Sequence, residues 1–183
     1  DFMREATDPK EEIRLQALSE SYPDAMNLAL KGSENPNLLP KGAITVRLHS
    51  VGGWGAVTTG KNLAMTLYDL LGFDIRANPK YGSEKKGQPT TYFLSAAPEA
   101  IRLNCEYTYV DVVMSPDPNV FTHSNPLSGL KKGGVFIIQS NLDTAEAVWG
   151  TFPIQARRFV IDNEIQVFYV DGFKIARDEA SDV

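Results

Sequence analysis

From about residue 43 the sequence alternates between short runs of β-branched and aromatic residues and amphipathic stretches with helical spacing, and this alternation restricts the fold more than any other feature. Residues 43–49 predict a first strand and 50–55 a glycine-rich turn. The helix that follows places Ala56, Gly60, Leu63, Ala64, Leu67 and Leu71 at intervals of three and four, a face made to pack on a sheet. Further strands are expected at 74–78, 90–97, 110–114, 135–139 and 164–170, all rich in β-formers. Short helices are expected at 126–130, 144–149 and 153–163, with Gly133-Gly134 closing the first.

These elements predict an α/β fold, a three-layer Rossmann-like sheet that is mostly parallel. Residues 1–42 read as a helical arm and linker ahead of an α/β domain at 43–183. In the arm, Asp8-Pro9-Lys10-Glu11 supplies an N-cap, a first-turn proline and a capping-box carboxylate, for a helix through about Glu20. A second helix is expected from near Pro23 to Lys31-Gly32. Neither is long enough to stand without packing on its own domain or on a partner.

Charge and cysteine content remove several function classes. A net charge of -5 leaves no concentrated basic face for nucleic acid. The apolar runs, such as 135–138, are too short to span a bilayer, and nothing near Asp1 has the order of a signal peptide, so a cytoplasmic address is expected. Cys105 is the only cysteine, whereas an iron-sulfur cluster takes about four thiolates. His49 and His123 are the only histidines, too few for an ordinary zinc site.

The turn His49-Ser50-Val51-Gly52-Gly53-Trp54-Gly55-Ala56 joins a buried strand to a helix, where α/β folds bind anions. Glycines there serve either close approach of a ligand or close packing of helix on strand. Gly53-Trp54-Gly55 followed by Thr58 breaks the dinucleotide fingerprint, which wants a third glycine. The segment 55–62 matches a P-loop except that Asn62 replaces the magnesium-binding hydroxyl. A free-standing nucleotide-binding protein using Gly55 to Lys61 is therefore the alternative reading, and a dinucleotide module the third.

With the turn in view, the sequence resembles the gamma subunit or gamma domain of the pyruvate and other 2-oxoacid:ferredoxin/flavodoxin oxidoreductases. That family's strand, Gly-Gly-x-Gly turn and threonine-bearing helix are matched by Gly52-Gly53-Trp54-Gly55-Ala56-Val57-Thr58. Its Tyr/Phe-Gly-x-Glu-Arg-Arg-Gly-like loop is matched by Tyr81-Gly82-Ser83-Glu84-Lys85-Lys86-Gly87. Ala100-Ile101-Arg102, Asp111-Val112-Val113, Leu130-Lys131-Lys132-Gly133-Gly134, Ser140-Asn141 and the tail 168–176 follow in the family's order. Trp54 stands where the family usually has glutamine, narrowing the mouth of the turn, and Lys85-Lys86 replace arginines, keeping charge but losing the bidentate fork.

The resemblance implies a non-catalytic component of a complex that decarboxylates a 2-oxoacid to acyl-coenzyme A. It implies partner alpha and beta subunits and a ferredoxin-like delta subunit, which carry thiamine diphosphate, magnesium and iron-sulfur clusters, with ferredoxin or flavodoxin as electron acceptor. For this chain it implies assembly and a share in holding coenzyme A, through Gly52, Gly53, Trp54, Gly55, Thr58, Glu84, Lys85 and Lys86; solvation of an exposed loop is the plain alternative for the two lysines. No catalytic or metal-binding residue is expected. Cys105 reads as a packed thiol, His49 as a hydrogen-bonded structural histidine, and Asp117 and Asp171 as ligand-side residues or helix caps. Tyr107, Tyr109, Phe121 and Phe152 are aromatic candidates for partner contacts.

Overall fold

The structure, a computed structural model, describes residues 9–23, 38–82 and 87–181. The chain divides into two compact units, 1–37 and 38–183. In the first, helix α1 spans Pro9–Ser21, with Gln16 donating to Glu20 one turn on at 3.2 Å. The expected second arm helix, from near Pro23 to Lys31-Gly32, lies outside the described residues except for Pro23, as does Asp8.

The second unit holds six strands and four α-helices among its described residues: β1 Ile44–Val51, α2 Ala56–Leu71, β2 Asp74–Tyr81, β3 Pro89–Ala97, β4 Val110–Ser115, β5 Leu130–Gln139, α3 Ala145–Thr151, α4 Ile154–Asp162, β6 Gln166–Val170 and α5 Gly172–Ser181. The strands form one sheet in the order β2-β3-β1-β4-β5-β6. β1, β4, β5 and β6 pair in parallel, while β3 runs antiparallel to both β1 and β2 and is the one reversed strand. After β1 the chain crosses to the β2 edge, and after β4 it moves toward β5. Their carboxyl ends therefore flank a topological switch point, where open α/β sheets bind ligands.

Strand alternation divides the core between two faces. Val46, Leu48, Tyr92 and Leu94 pack against Ala56 and Ala64 of α2. On the opposite face Val113, Phe136 and Ile138 meet Val148, Phe152, Ala156 and Val160 from α3 and α4. Helix α2 begins after Gly55 and stops at Gly72, whose left-handed backbone (φ 66°) turns its amide back to the Tyr68 carbonyl. Thr144 caps α3 by accepting the Ala147 amide at 3.2 Å.

Three sequence expectations are corrected here. In place of the helix expected at 126–130, residues 126–129 form a turn and Leu130 opens β5, with buried Arg47 holding the carbonyls of Pro126 and Ser128. Gly133-Gly134 closes no helix but sits inside β5, where Gly133 adopts φ 73° and the β4–β5 register shifts between Val110 and Val112. Tyr107 and Phe152 are buried rather than displayed, and Phe121 packs on Phe136 and Phe152 at ring separations of 5.7 and 4.8 Å, so these side chains build core; Tyr109 is half-buried.

The Asp-Val-Val and Leu-Lys-x-Gly-Gly motifs are also fold-making. Asp111 accepts hydrogen bonds from the Thr45 amide, the Thr45 hydroxyl and the Lys131 ammonium, each 2.8 Å away. Burial alone would raise its carboxyl, but the bonds from Lys131 and Thr45 outweigh it and hold the group below the usual carboxylate range.

Candidate functional site

The turn between β1 and α2 is shaped by two glycines in the left-handed region, Gly53 at φ 104° and Gly55 at φ 82°. A Cβ on Gly53 would meet nothing within 4 Å, so backbone conformation and open space, not close packing, call for glycine there. The first helical hydrogen bond runs from the Thr59 amide to the Gly55 carbonyl at 2.8 Å, leaving the amides of Ala56, Val57 and Thr58 ahead of it. No acidic residue occupies that first turn. These amides border a cavity of about 410 Å³ lined by Gly52, Gly53, Gly55, Thr58, Tyr81 and Thr90. Aligned amides at a helix start, with no carboxylate beside them, suit an anion.

The structure separates the expected site residues. Gly52, Gly53, Gly55 and Thr58 share that cavity, whereas Trp54 turns away and lines a second cleft, its ring edge-to-face with Phe173 at 5.8 Å. Trp54 therefore does not narrow the glycine cavity. Glu84, Lys85 and Lys86 lie outside the described residues, but Gly52 donates to the Gln88 carbonyl at 2.9 Å, which ties the end of their loop to the turn.

The P-loop reading is not supported. A P-loop needs four residues of irregular backbone between its glycines to cradle phosphate, and here Ala56 to Gly60 are already helix. Gly60 is instead a packing glycine: a Cβ there would lie 2.3 Å from the Tyr92 ring.

Beneath the ends of β1 and β4 lies a polar cluster. His123 Nε2 and Asp117 Oδ2 are 2.7 Å apart, Asp117 Oδ1 accepts the Asn119 amide, and the Ser115 hydroxyl reaches the carbonyls of His49 and Asp117, both at 2.9 Å. Asp117 thus orders the short 3₁₀ helix Val120–Thr122. His49 is not the hydrogen-bonded residue expected, since its Nε2 is buried without a partner among the described residues. Burial, reinforced by Arg47 and His123, pushes its imidazole down to about 3.

That depression predicts acid sensitivity. Above the ordinary value near 6.5 the group is neutral folded and unfolded, and its contribution to stability is complete. As pH falls from 6.5 toward 3 the unfolded chain gains a proton that the folded chain refuses, at roughly 1 kcal/mol per pH unit. Urea denaturation at pH 7 and pH 5 is expected to show a smaller loss for His49→Phe than for the parent chain. Equal losses would assign the acid sensitivity elsewhere.

Comparison with known proteins now decides the family. The family model for pyruvate ferredoxin/flavodoxin oxidoreductase matches residues 45–183. The chain belongs to that family. Among curated relatives, pyruvate synthase subunit PorC of Methanocaldococcus jannaschii is 32% identical over 120 residues, covering 65% of this chain and 66% of the relative. The pyruvate/ketoisovalerate oxidoreductases common subunit gamma of Thermococcus litoralis is 33% identical over 105 residues, covering 57% of this chain and 56% of the relative. The chain thus spans between about half and two thirds of the length of these relatives.

Two solved structures share the fold. Pyruvate oxidoreductase subunit PORC of Thermotoga maritima superposes with a TM-score of 0.56 at 24% identity, over 77% of this chain and 68% of that one. The 2-oxoglutarate:ferredoxin oxidoreductase of Magnetococcus marinus, determined with 2-oxoglutarate, coenzyme A and succinyl-CoA bound, gives 0.52 at 17% identity, over 76% of this chain and 22% of that one.

Within this member of the family, one element near the end of the chain is absent from the sequence expectations. The expected elements end with the strand at 164–170 and the family-like close to 176, whereas Gly172–Ser181 is helix α5, with Phe173, Ala176 and Ala180 at helical spacing behind Asp171. Asp171 is a cap, accepting the Lys174 amide at 3.1 Å, and that bond, with one from Gln139, holds its carboxyl below the ordinary range. Cys105 is exposed rather than packed. Among the described residues no helix is long and apolar enough to cross a membrane.

Proposed function

We propose that this chain is the gamma component of a pyruvate-type 2-oxoacid:ferredoxin oxidoreductase complex, where it supports assembly and holds coenzyme A during oxidative decarboxylation. The observation that carries the ligand reading is the glycine cavity: helix-start amides, a first helical turn with no acidic residue, and a position at the switch point of a sheet whose family is established. Coenzyme A supplies the thiol that takes up the acyl group; the part given to this chain is to bind its phosphates through the amides bordering Gly53 and Gly55. Thr58 adds a hydroxyl at the rim of the same cavity.

Lys85 and Lys86 complete the reading. Gly52 donates to the Gln88 carbonyl at 2.9 Å, and Lys85 and Lys86 precede Gln88 by three and two positions in the sequence, so their charges are assigned to the same ligand. Alpha and beta subunits and a ferredoxin-like delta subunit are proposed to carry thiamine diphosphate, magnesium and iron-sulfur clusters and to pass electrons to ferredoxin or flavodoxin. The residues of this chain do not fit a cluster, because it has one cysteine.

Replacing Lys85 and Lys86 together by alanine is expected to weaken coenzyme A binding to the assembled enzyme about tenfold, the loss of one or two charge-assisted contacts. Isothermal titration at two salt concentrations checks it, with a shallower salt dependence in the variant. An unchanged affinity would remove the two lysines from the site.

A further inference from the structure

The sheet ends on β6, and no other described strand pairs with the outer edge of that strand. The Ser140 amide donates to the Val170 carbonyl at 3.0 Å, so the peptide groups of Val170 and, by alternation, of Phe168 and Gln166 face β5. Those of Val167 and Tyr169 face outward. Past Asp171 the chain leaves the edge at once: the Gly172 amide donates to the Gln139 side chain at 2.8 Å and Phe173 meets the Trp54 ring, which draws the start of α5 inward.

Edge strands are ordinarily blunted by a charge, a proline or a bulge. The strand Gln166–Val170 has none of these, and its pairing with β5 runs in unbroken register. Both of its faces carry open apolar surface instead. Phe168, in register with Ile137 and Met114 on the α2 side of the sheet, is 53% exposed, and Tyr169 on the α3 side is 38% exposed. On the α3 side the strand borders a groove of about 350 Å³, walled by Val148, Trp149 and Phe152 together with Val167 and Tyr169. Glu146, exposed in the first turn of α3, is the charged residue on its wall.

These features specify the occupant. Outward peptide groups two residues apart call for another backbone in extended conformation, and the groove beside them takes an apolar side chain. The Glu146 carboxylate calls for a cation next to it. A second copy would bring none on its own β6, because Gln166–Val170 contains no lysine or arginine, and it would set two chains of net charge -5 edge to edge.

We infer that the free edge of β6 docks an extended segment of a partner subunit, which joins the sheet as a further strand, seats an apolar side chain in the groove beside Trp149 and Tyr169, and places a lysine or arginine against Glu146. The inference rests on the assembly role proposed above and deepens it by naming the surface and the chemistry of what it binds.

The test compares the full chain alone with the complex recovered through a tag on this chain from its source cell. Amide exchange read residue by residue is expected to show Phe168 and Val170 protected in both samples, through β5, and Val167 and Tyr169 protected about a hundredfold more in the complex than in the free chain. Tyr169→Pro removes an amide that β5 does not use, a position where an edge strand tolerates proline. It is expected to recover less than about a tenth of the companions, and Glu146→Lys about a fifth. Equal exchange of the Val167 and Tyr169 amides in the free chain and in the complex overturns the docking edge and leaves the gamma assignment standing, whether or not Tyr169→Pro folds. Protection of those two amides in a free chain that sediments as a dimer also overturns it, in favour of a second copy. A parent chain recovered without companions overturns the gamma reading itself.

Discussion

Replacing Arg47 by alanine is expected to cost about 3 to 5 kcal/mol of stability, enough to unfold a large share of a marginally stable domain. Arg47 is only 5% exposed, and its guanidinium donates to the carbonyls of Thr108, Pro126 and Ser128. Burial lowers it to about 10, so it remains charged at neutral pH. Its removal would leave the buried Pro126 carbonyl unsatisfied, at about 1 to 3 kcal/mol, take the donor from two partly buried carbonyls, and open the void of the side chain. Arg47→Lys keeps a charge but not the fork that serves three carbonyls, and should recover less than half of the loss. Denaturant midpoints of the three proteins check this, and an alanine variant within 1 kcal/mol of the parent would show that the turn at 126–130 holds without the guanidinium.

The second large effect is expected at Gly60. In most helices glycine to alanine gains about 1 kcal/mol. Here the new methyl would lie 2.3 Å from the ring of Tyr92, which is 3% exposed and has no room to retreat. Overpacking of about 1 to 3 kcal/mol, at its upper end for so close a contact, exceeds the propensity gain, so Gly60→Ala is expected to destabilise by about 1 to 2 kcal/mol. The pairing Gly60→Ala with Tyr92→Leu, which removes the clashing ring edge, should show coupling of opposite sign in a double-mutant cycle. Independent, additive effects would place the helix farther from β3 than described.

Both positions show where the sequence was legible. The helix at Ala56–Leu71 was readable because Ala56, Gly60 and Ala64 repeat on one face, and small residues on that face announce close packing on a sheet. The stripe failed at its end, where Leu71 is 57% exposed, since the left-handed cap at Gly72 turns the chain away there. Strand β5 was readable only from Val135. Its first half, Leu130 to Gly134, carries turn chemistry, and what makes it a strand is tertiary: a bulge against β4 and the Lys131 pair with Asp111.

The candidate site divides in the same way. Gly52 to Thr58 could be located from the strand-turn-helix pattern, because amide geometry at a helix start is a local property. The facing direction of Trp54 could not, since it depends on Phe173, more than a hundred residues later in a helix that the tail reading missed. Arg47 carries no sequence signal, as its partners are backbone carbonyls.

The most direct test of the account is recovery of the tagged chain from its source cell, followed by analysis of iron and thiamine diphosphate in what accompanies it. The gamma assignment predicts large companions that bring both, and an isolated chain that turns over nothing. A chain that comes out alone and hydrolyses ATP with magnesium, or that holds iron by itself, contradicts it.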